Sequence, residues 1–331
     1  MTKKKLFVFI LKSVVSISLL TILLLNIDWY TVSNNFEKAN VFYLVIASSL
    51  NLTERFELTY KWILLIRVRN IVIAFKRLFI INAIGSFLGL FLPSSLGTDI
   101  VKGYYLVKNN SEKSISISSV FVDRVLGLFS LLTFGLVSVF FAGDLIMKFG
   151  LKFIIVLIFM LAVVFIYLFQ KDWSTIFLKK LKKKIKFQKV IDNILNLHSS
   201  ILEYKKYPKT LLYAFILTLL VQVTRVLTYY IIALSFNIHV PIVYFFLFVP
   251  LIMLVMMIPI SIGGIGVREG AFVAFFSLVG MSVNDAVIIS FMNSFLDILN
   301  TLIIGGGGHL FYKSPDNHHR ISEKKLAKTN E

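Results

Sequence analysis

Apolar runs of spanning length recur along the chain at 6–27, 41–60, 118–142, 152–170, 211–235 and 285–311. A helix rises about 1.5 Å per residue, so about 20 apolar residues cross a hydrocarbon core. Two further apolar blocks, 78–106 and 242–280, are each interrupted by a polar, glycine-bearing motif. Backbone groups in lipid must be paired within their own segment, which leaves helices as the spanning elements here. The pattern predicts an all-α polytopic membrane protein. The transmembrane domain takes residues 1–312, and 313–331 form a polar tail.

The two motifs align without a gap. Pro93–Lys102 reads PSSLGTDIVK and Pro259–Arg268 reads PISIGGIGVR. Ser95 meets Ser261, Gly97 meets Gly263, and Lys102 meets Arg268. Proline ends the incoming helix. Gly97, Gly263, Gly264 and Gly266 permit a turn and close backbone approach. Each block then reads as a helix, a break and a second helix. Its two arms are expected to form a re-entrant hairpin that enters and leaves on one side.

Charge decides between this reading and simple spans. With hairpins, the inside loops 1–5, 61–77, 102–117, 171–210 and 312–331 hold 27 Lys and Arg, and the outside loops hold three. With ordinary spans the bias reverses, against the positive-inside rule. The hairpin reading places both termini in the cytoplasm. It also divides the chain into half one, 1–145, and half two, 152–312, each with three spans and one hairpin. Three full crossings separate the starts of the halves, so the repeat is inverted, a transporter design. The arm 78–92 is too short to span. The arm 242–258 is longer and nearly crosses.

Composition supports the bilayer reading. The 331 residues are 57% apolar and carry a formal charge of +18, with a mean hydropathy of +0.84. In a membrane protein that charge marks cytoplasmic loops and anionic lipid, not nucleic acid. The Lys-rich linker 171–210 fits an amphipathic segment on the inner leaflet, or a solvated loop. The absence of Cys excludes disulfides and thiolate metal sites. The five His are scattered, so neither a metal nor a cofactor is expected. There is no phosphate-binding loop, nucleophile elbow or dinucleotide fingerprint, and an enzyme is not expected.

The candidate chemistry is anion binding. Ser95, Thr98 and Ser261 offer hydroxyls beside the breaks. The second arm of each hairpin starts with free N–H groups and a positive dipole end, which suits phosphate. Lys102 and Arg268 add a cation one turn further on. Asp99 and Glu269 balance charge or relay protons. Small residues in such motifs also serve plain helix packing, so both readings stand at this point. Charges inside spans are costly and face a partner or a wet cavity. Arg124, beside Asp123, opens the span after the first hairpin. Arg225 follows Gln222 on one helix face, and Asp297 shares a stripe with Asn293 and Asn300. Glu54, Arg55 and Glu57 read either as cavity groups or as the interfacial end of a span. GGGGH at 305–309 reads as a packing or kink element.

These residues resemble the transmembrane region of the lysylphosphatidylglycerol synthase/flippase family. The resemblance rests on Pro93–Lys102, on Asp123-Arg124 and above all on Pro259–Glu269, and it spans roughly 5–312. Thr98 and Lys102 depart from the family's usual Gly and Arg. The soluble aminoacyl-transferase domain of the bifunctional members is not in the sequence, so lysyl transfer is not expected. The resemblance implies a flippase-like domain in the cytoplasmic (plasma) membrane. Such a protein moves or handles a phosphate-bearing lipid, with Ser95, Thr98, Lys102, Arg124, Ser261 and Arg268 at the headgroup. Its partners would be anionic lipids, a second copy of itself or a separate lipid-modifying enzyme. The alternatives are a non-transporting partner in cell-envelope or glycosylation assembly, and a polyprenol-phosphate glycosyltransferase.

Overall fold

The computed structural model describes residues 3–68, 72–89, 97–108, 113–141, 155, 158, 159, 162, 196, 199–258, 261 and 264–307. Pro93, Ser95, Pro259, Gly263, most of 152–170 and of the basic linker, and the tail all lie outside them. The described residues form helices and no strand. In chain order these are α1 Lys3–Leu25, α2 Trp29–Glu37, α3 Val41–Arg67, α4 Phe75–Gly89, α5 Gly97–Lys108, α6 Lys113–Phe141, α7 Pro208–Ser235, α8 Ile242–Met256, α9 Val267–Phe276 and α10 Val283–Thr301. A π-helical turn, Leu302–Gly306, extends α10.

Local chemistry sets several of these boundaries. Asn40 and Ser282 start α3 and α10, each side chain accepting from a backbone N–H of the first turn. Asp28 does the same for α2, which bends 83° away from α1. The stretch 28–40, expected to be a loop, is therefore mostly helical.

Among the described residues, three helical stretches are long and apolar enough to cross a membrane: Ile117–Ser138, Pro208–Ser235 and Val283–Gly306. The bent pair α1 and α2 adds a fourth if it is one span. At 27 residues α3 has the length, and it runs well past the expected end at 60. It carries Glu54, Arg55, Glu57 and Lys61, which keep it off the apolar set. Lys61, counted above as a loop cation, is 2% exposed within α3. Moving it inside the protein leaves the loop bias intact.

Both hairpins form. α4 packs on α5, and α8 packs on α9. α4 and α8 are each 15 residues long, roughly 22 Å at 1.5 Å per residue, short of a hydrocarbon core of about 30 Å. The second arm stops at Met256 and is no longer than the first. In the first hairpin a Cβ on Gly85 would lie 2.8 Å from Lys102 Cγ, so glycine makes room for the lysine stem.

Packing between the halves is reciprocal. α3 and α7 lie along each other, α6 of half one packs on α8, and α10 of half two packs with its π turn on α4. The last contact is close: Gly305 of the GGGGH run sits against the Ala83 carbonyl and Phe87. Among the described residues the buried apolar side chains form three clusters. One gathers Tyr229, Phe245, Phe248, Phe272 and Phe276, and another gathers Trp62, Ile66, Leu78, Ile81 and Leu106. The end of the basic linker docks through Tyr204, whose hydroxyl donates to the Leu65 carbonyl at 3.2 Å.

α8 contains Pro250, which has no N–H to give the Phe246 carbonyl one turn earlier. The Ser138 hydroxyl of α6 donates to that carbonyl at 2.8 Å instead. Ser138 is 4% exposed. Replacing Ser138 with alanine orphans a buried acceptor and is expected to cost about 1–3 kcal/mol. A melting temperature unchanged from wild type would refute the role.

Candidate functional site

Charged residues in the middle of α3 reach three neighbouring helices. Arg55 donates to Asp297 of α10 at 2.7 Å and also binds the Thr301 hydroxyl. Lys61 pairs with Asp123 of α6 at 2.8 Å. Glu54 pairs with Arg225 of α7, whose guanidinium also donates to Gln222 Oε1 at 3.0 Å. Glu57 accepts from Thr224 at 3.0 Å. A fourth ion pair, Arg124 with Asp99 at 3.3 Å, ties α6 to the first hairpin. Charges placed in a low dielectric are costly unless paired, and each of these has found a partner.

The pairs surround a cavity of about 410 Å3. Its wall takes Thr98, Asp99 and Lys102 from the first hairpin, and Gly264 and Arg268 from the second. α3 supplies Glu54, Arg55 and Lys61, α6 supplies Asp123 and Arg124, and α7 and α10 supply Gln222, Arg225, Tyr229, Asn293 and Asp297. Met253, Met256 and Met257 add an apolar stretch. Among the described residues, six cations and four carboxylates line it.

Four of the six cations are in ion pairs with those four carboxylates. The other two are Lys102 and Arg268. Neither has a carboxylate within ion-pair distance among the described residues. The Lys102 ammonium lies 5.8 Å from the Trp62 ring centre, a cation–π contact. One Arg268 nitrogen donates to the Ser294 hydroxyl at 2.7 Å, and its buried Nε has no partner. The Tyr229 hydroxyl is also buried on this wall without a partner. Its ring stacks on Phe272 at 5.3 Å, which fixes its place. The Ser294 hydroxyl also lies 3.2 Å from Glu269 Oε1. The cations that align in the doubled motif are thus the two wall cations without an ion pair among the described residues.

A scan against family models matches the lysylphosphatidylglycerol synthase TM region over residues 9–305. The chain belongs to that family. The match takes in every described residue of the cavity wall and both hairpins. With several apolar helices, this makes the chain a multi-pass membrane protein of a lipid-related, flippase-like family. Searches of curated proteins and of solved structures gave no match.

The structure sorts the expected residues of this family member. Thr98, Asp99, Lys102, Asp123, Arg124, Gln222, Arg225, Gly264, Arg268, Glu54 and Asp297 share the one cavity. Asp123 and Arg124 are adjacent in sequence yet both reach it, through Lys61 and Asp99 respectively. Gly97 opens α5. Ser261 is buried but is not on the wall. Glu269 is not on it either. Its carboxylate accepts from the Gly266 N–H at 2.7 Å and caps its own helix. Part of the N–H edge expected to hold an anion is therefore taken, and the second hairpin meets the cavity through Arg268. Gly266 has φ 81°, a conformation glycine adopts freely, and a Cβ there would lie 2.8 Å from Leu19 Cβ of α1. Asn300 turns away towards Ser48.

Sequence reading missed Lys61, Asn51, Asn82, Thr59 and Tyr229, all on the wall. Asn82 donates to the Thr59 hydroxyl at 3.1 Å, and Thr59 to the Arg55 carbonyl at 2.8 Å. A signal existed for Lys61: it falls four residues after Glu57 and seven after Glu54, one and two helical turns along one face of α3.

Proposed function

We propose that the protein is a flippase-like lipid carrier of the cytoplasmic membrane. A phosphate-bearing headgroup enters the cavity between the two hairpins, while the acyl or prenyl tail stays in the bilayer. The observation that carries this reading is the pair Lys102 and Arg268. Among the described wall residues they are the two cations with no carboxylate in ion-pair distance, and one comes from each hairpin. A polar cavity with uncommitted cations has the chemistry to replace the hydration of a phosphate. The reciprocal packing of the halves and the in-register motifs support an inverted repeat, whose two states alternate access to one site. The loop charge bias supports cytoplasmic termini. On this reading the protein moves lipid and does not modify it, and anionic lipids are its main partners.

The test is reconstitution of the full chain in liposomes, with quenchable lipids that include a phospholipid and a polyprenyl phosphate. Wild type is expected to move at least one of them. Arg268→Ala and Lys102→Ala should each lower the initial rate about tenfold or more, in protein that elutes and melts like wild type. Equal movement by both variants sinks the reading. A folded wild type that moves no phosphate-bearing lipid would instead favour a non-transporting partner.

A further inference from the structure

The charges on the cavity wall say more than that an anion binds. Four carboxylates neutralise four cations one to one, and Lys102 and Arg268 remain. The described lining residues therefore carry a formal surplus of two positive charges, with two further carboxylates set just behind the wall: Glu57, held by Thr224, and Glu269, on the Ser294 hydroxyl that also binds Arg268. A ligand that leaves this surplus uncompensated forfeits much of the electrostatic gain, because charges interact more strongly here than in water. A phosphodiester headgroup carries one negative charge. An aminoacylated headgroup adds positive charge of its own. A phosphomonoester carries close to two negative charges above its second pKa of about 6. It also has three terminal oxygens, enough to meet both cations and still accept from a hydroxyl. The buried, unpartnered Tyr229 hydroxyl, 1% exposed as a residue, supplies that donor.

We propose that the cavity is selective for a dianionic phosphomonoester and discriminates against cationic, aminoacylated headgroups. The proposal rests on the reading that this cavity is the headgroup site. The same terminal phosphate occurs on a lipid and on a small soluble phosphate ester. The shared chemistry is what the wall recognises. The volume of about 410 Å3 holds a phosphate and a small polar stem, not two acyl chains.

The experiment titrates the full chain in detergent with lipids of identical tails, read by native mass spectrometry. The lipids are phosphatidic acid, phosphatidylglycerol and lysyl-phosphatidylglycerol, each at pH 8 and pH 5. At pH 8 phosphatidic acid is expected to bind about tenfold or more tighter than phosphatidylglycerol, with the lysyl lipid weakest. At pH 5 the monoester loses its second charge, and its advantage over phosphatidylglycerol should shrink to about threefold or less. This comparison uses wild-type protein alone and does not depend on any variant folding. Lys102→Ala and Arg268→Ala should each erase the preference, and Lys102→Arg should keep it. Glycerol 3-phosphate then separates the sources. Displacement of phosphatidic acid at equal concentration marks a site for the free ester, and failure to displace marks one that needs the lipid. Either result agrees with the proposal. Phosphatidylglycerol binding as tightly as phosphatidic acid, with both weakened in the alanine variants, overturns the phosphomonoester and leaves the headgroup site standing. Binding of every lipid unaffected by the variants overturns both.

Discussion

Lys61→Ala is expected to destabilise the protein by about 3–5 kcal/mol, because it strands a buried carboxylate. The Lys61 side chain is 3% exposed and that of Asp123 is 19% exposed, with 2.8 Å between them. Removing the lysine takes away one desolvated charge and leaves the other without compensation, which is the costly half of the change. Asp123→Ala should cost a similar amount for the same reason. The double change Lys61→Met with Asp123→Leu removes both charges and keeps volume, so it should recover most of the loss. The measurement is a thermal melt of purified protein, scored by the surviving monodisperse peak. The two single variants should melt well below wild type, and the double variant close to it. Single variants that melt with wild type would mean that the pair is not formed. A double variant as poor as the singles would mean that the charges hold a wider polar network, not only each other.

The helices were legible in the sequence because the bilayer leaves few alternatives. Runs of about 20 apolar residues became α1, α6, α7 and α10. The paired short arms were legible from the breaks between them. The places where reading failed share one cause. Local sequence does not say which distant helix will supply a partner. Lys61 looked like a loop cation because it falls just past the apolar run expected to end at 60, yet its counter-charge lies on α6. Tyr229 carried no signal in the sequence, and its buried hydroxyl without a partner sets it apart only in the fold. Glu269 looked like a site carboxylate, but at the third position of α9 it caps its own helix. The division of the six described wall cations into four with an ion pair and two without was invisible, since pairing is tertiary. What the sequence did carry was the register of the two motifs. That register marked Lys102 and Arg268 together, and they are the two that tertiary pairing leaves over.

Asp297→Asn is expected to tighten headgroup binding and slow lipid movement at once. Asp297 holds Arg55 at 2.7 Å, and its side chain is 40% exposed. Asparagine keeps the shape and an oxygen that accepts from Arg55, so the α3–α10 link survives as a neutral-acceptor hydrogen bond. What changes is charge: the surplus on the wall rises from two to three. For a unit charge about 8 Å from the phosphate, at an effective dielectric of about 20, this is worth about 2 kcal/mol, or roughly thirtyfold in affinity. A carrier must also let go. Binding has to be favourable enough for entry and weak enough for exit. A headgroup held thirtyfold more tightly leaves more slowly, so the rate at saturating lipid should fall while half-saturation moves to lower lipid. Arg55→Ala should act in the opposite direction on affinity, because it leaves Asp297 facing the phosphate without its cation. Lipid titrations and liposome movement assays on the two variants read both effects. Affinity unchanged in Asp297→Asn would show that the headgroup is not held by the net charge of the wall, and the role of Lys102 and Arg268 would then have to be one of geometry alone.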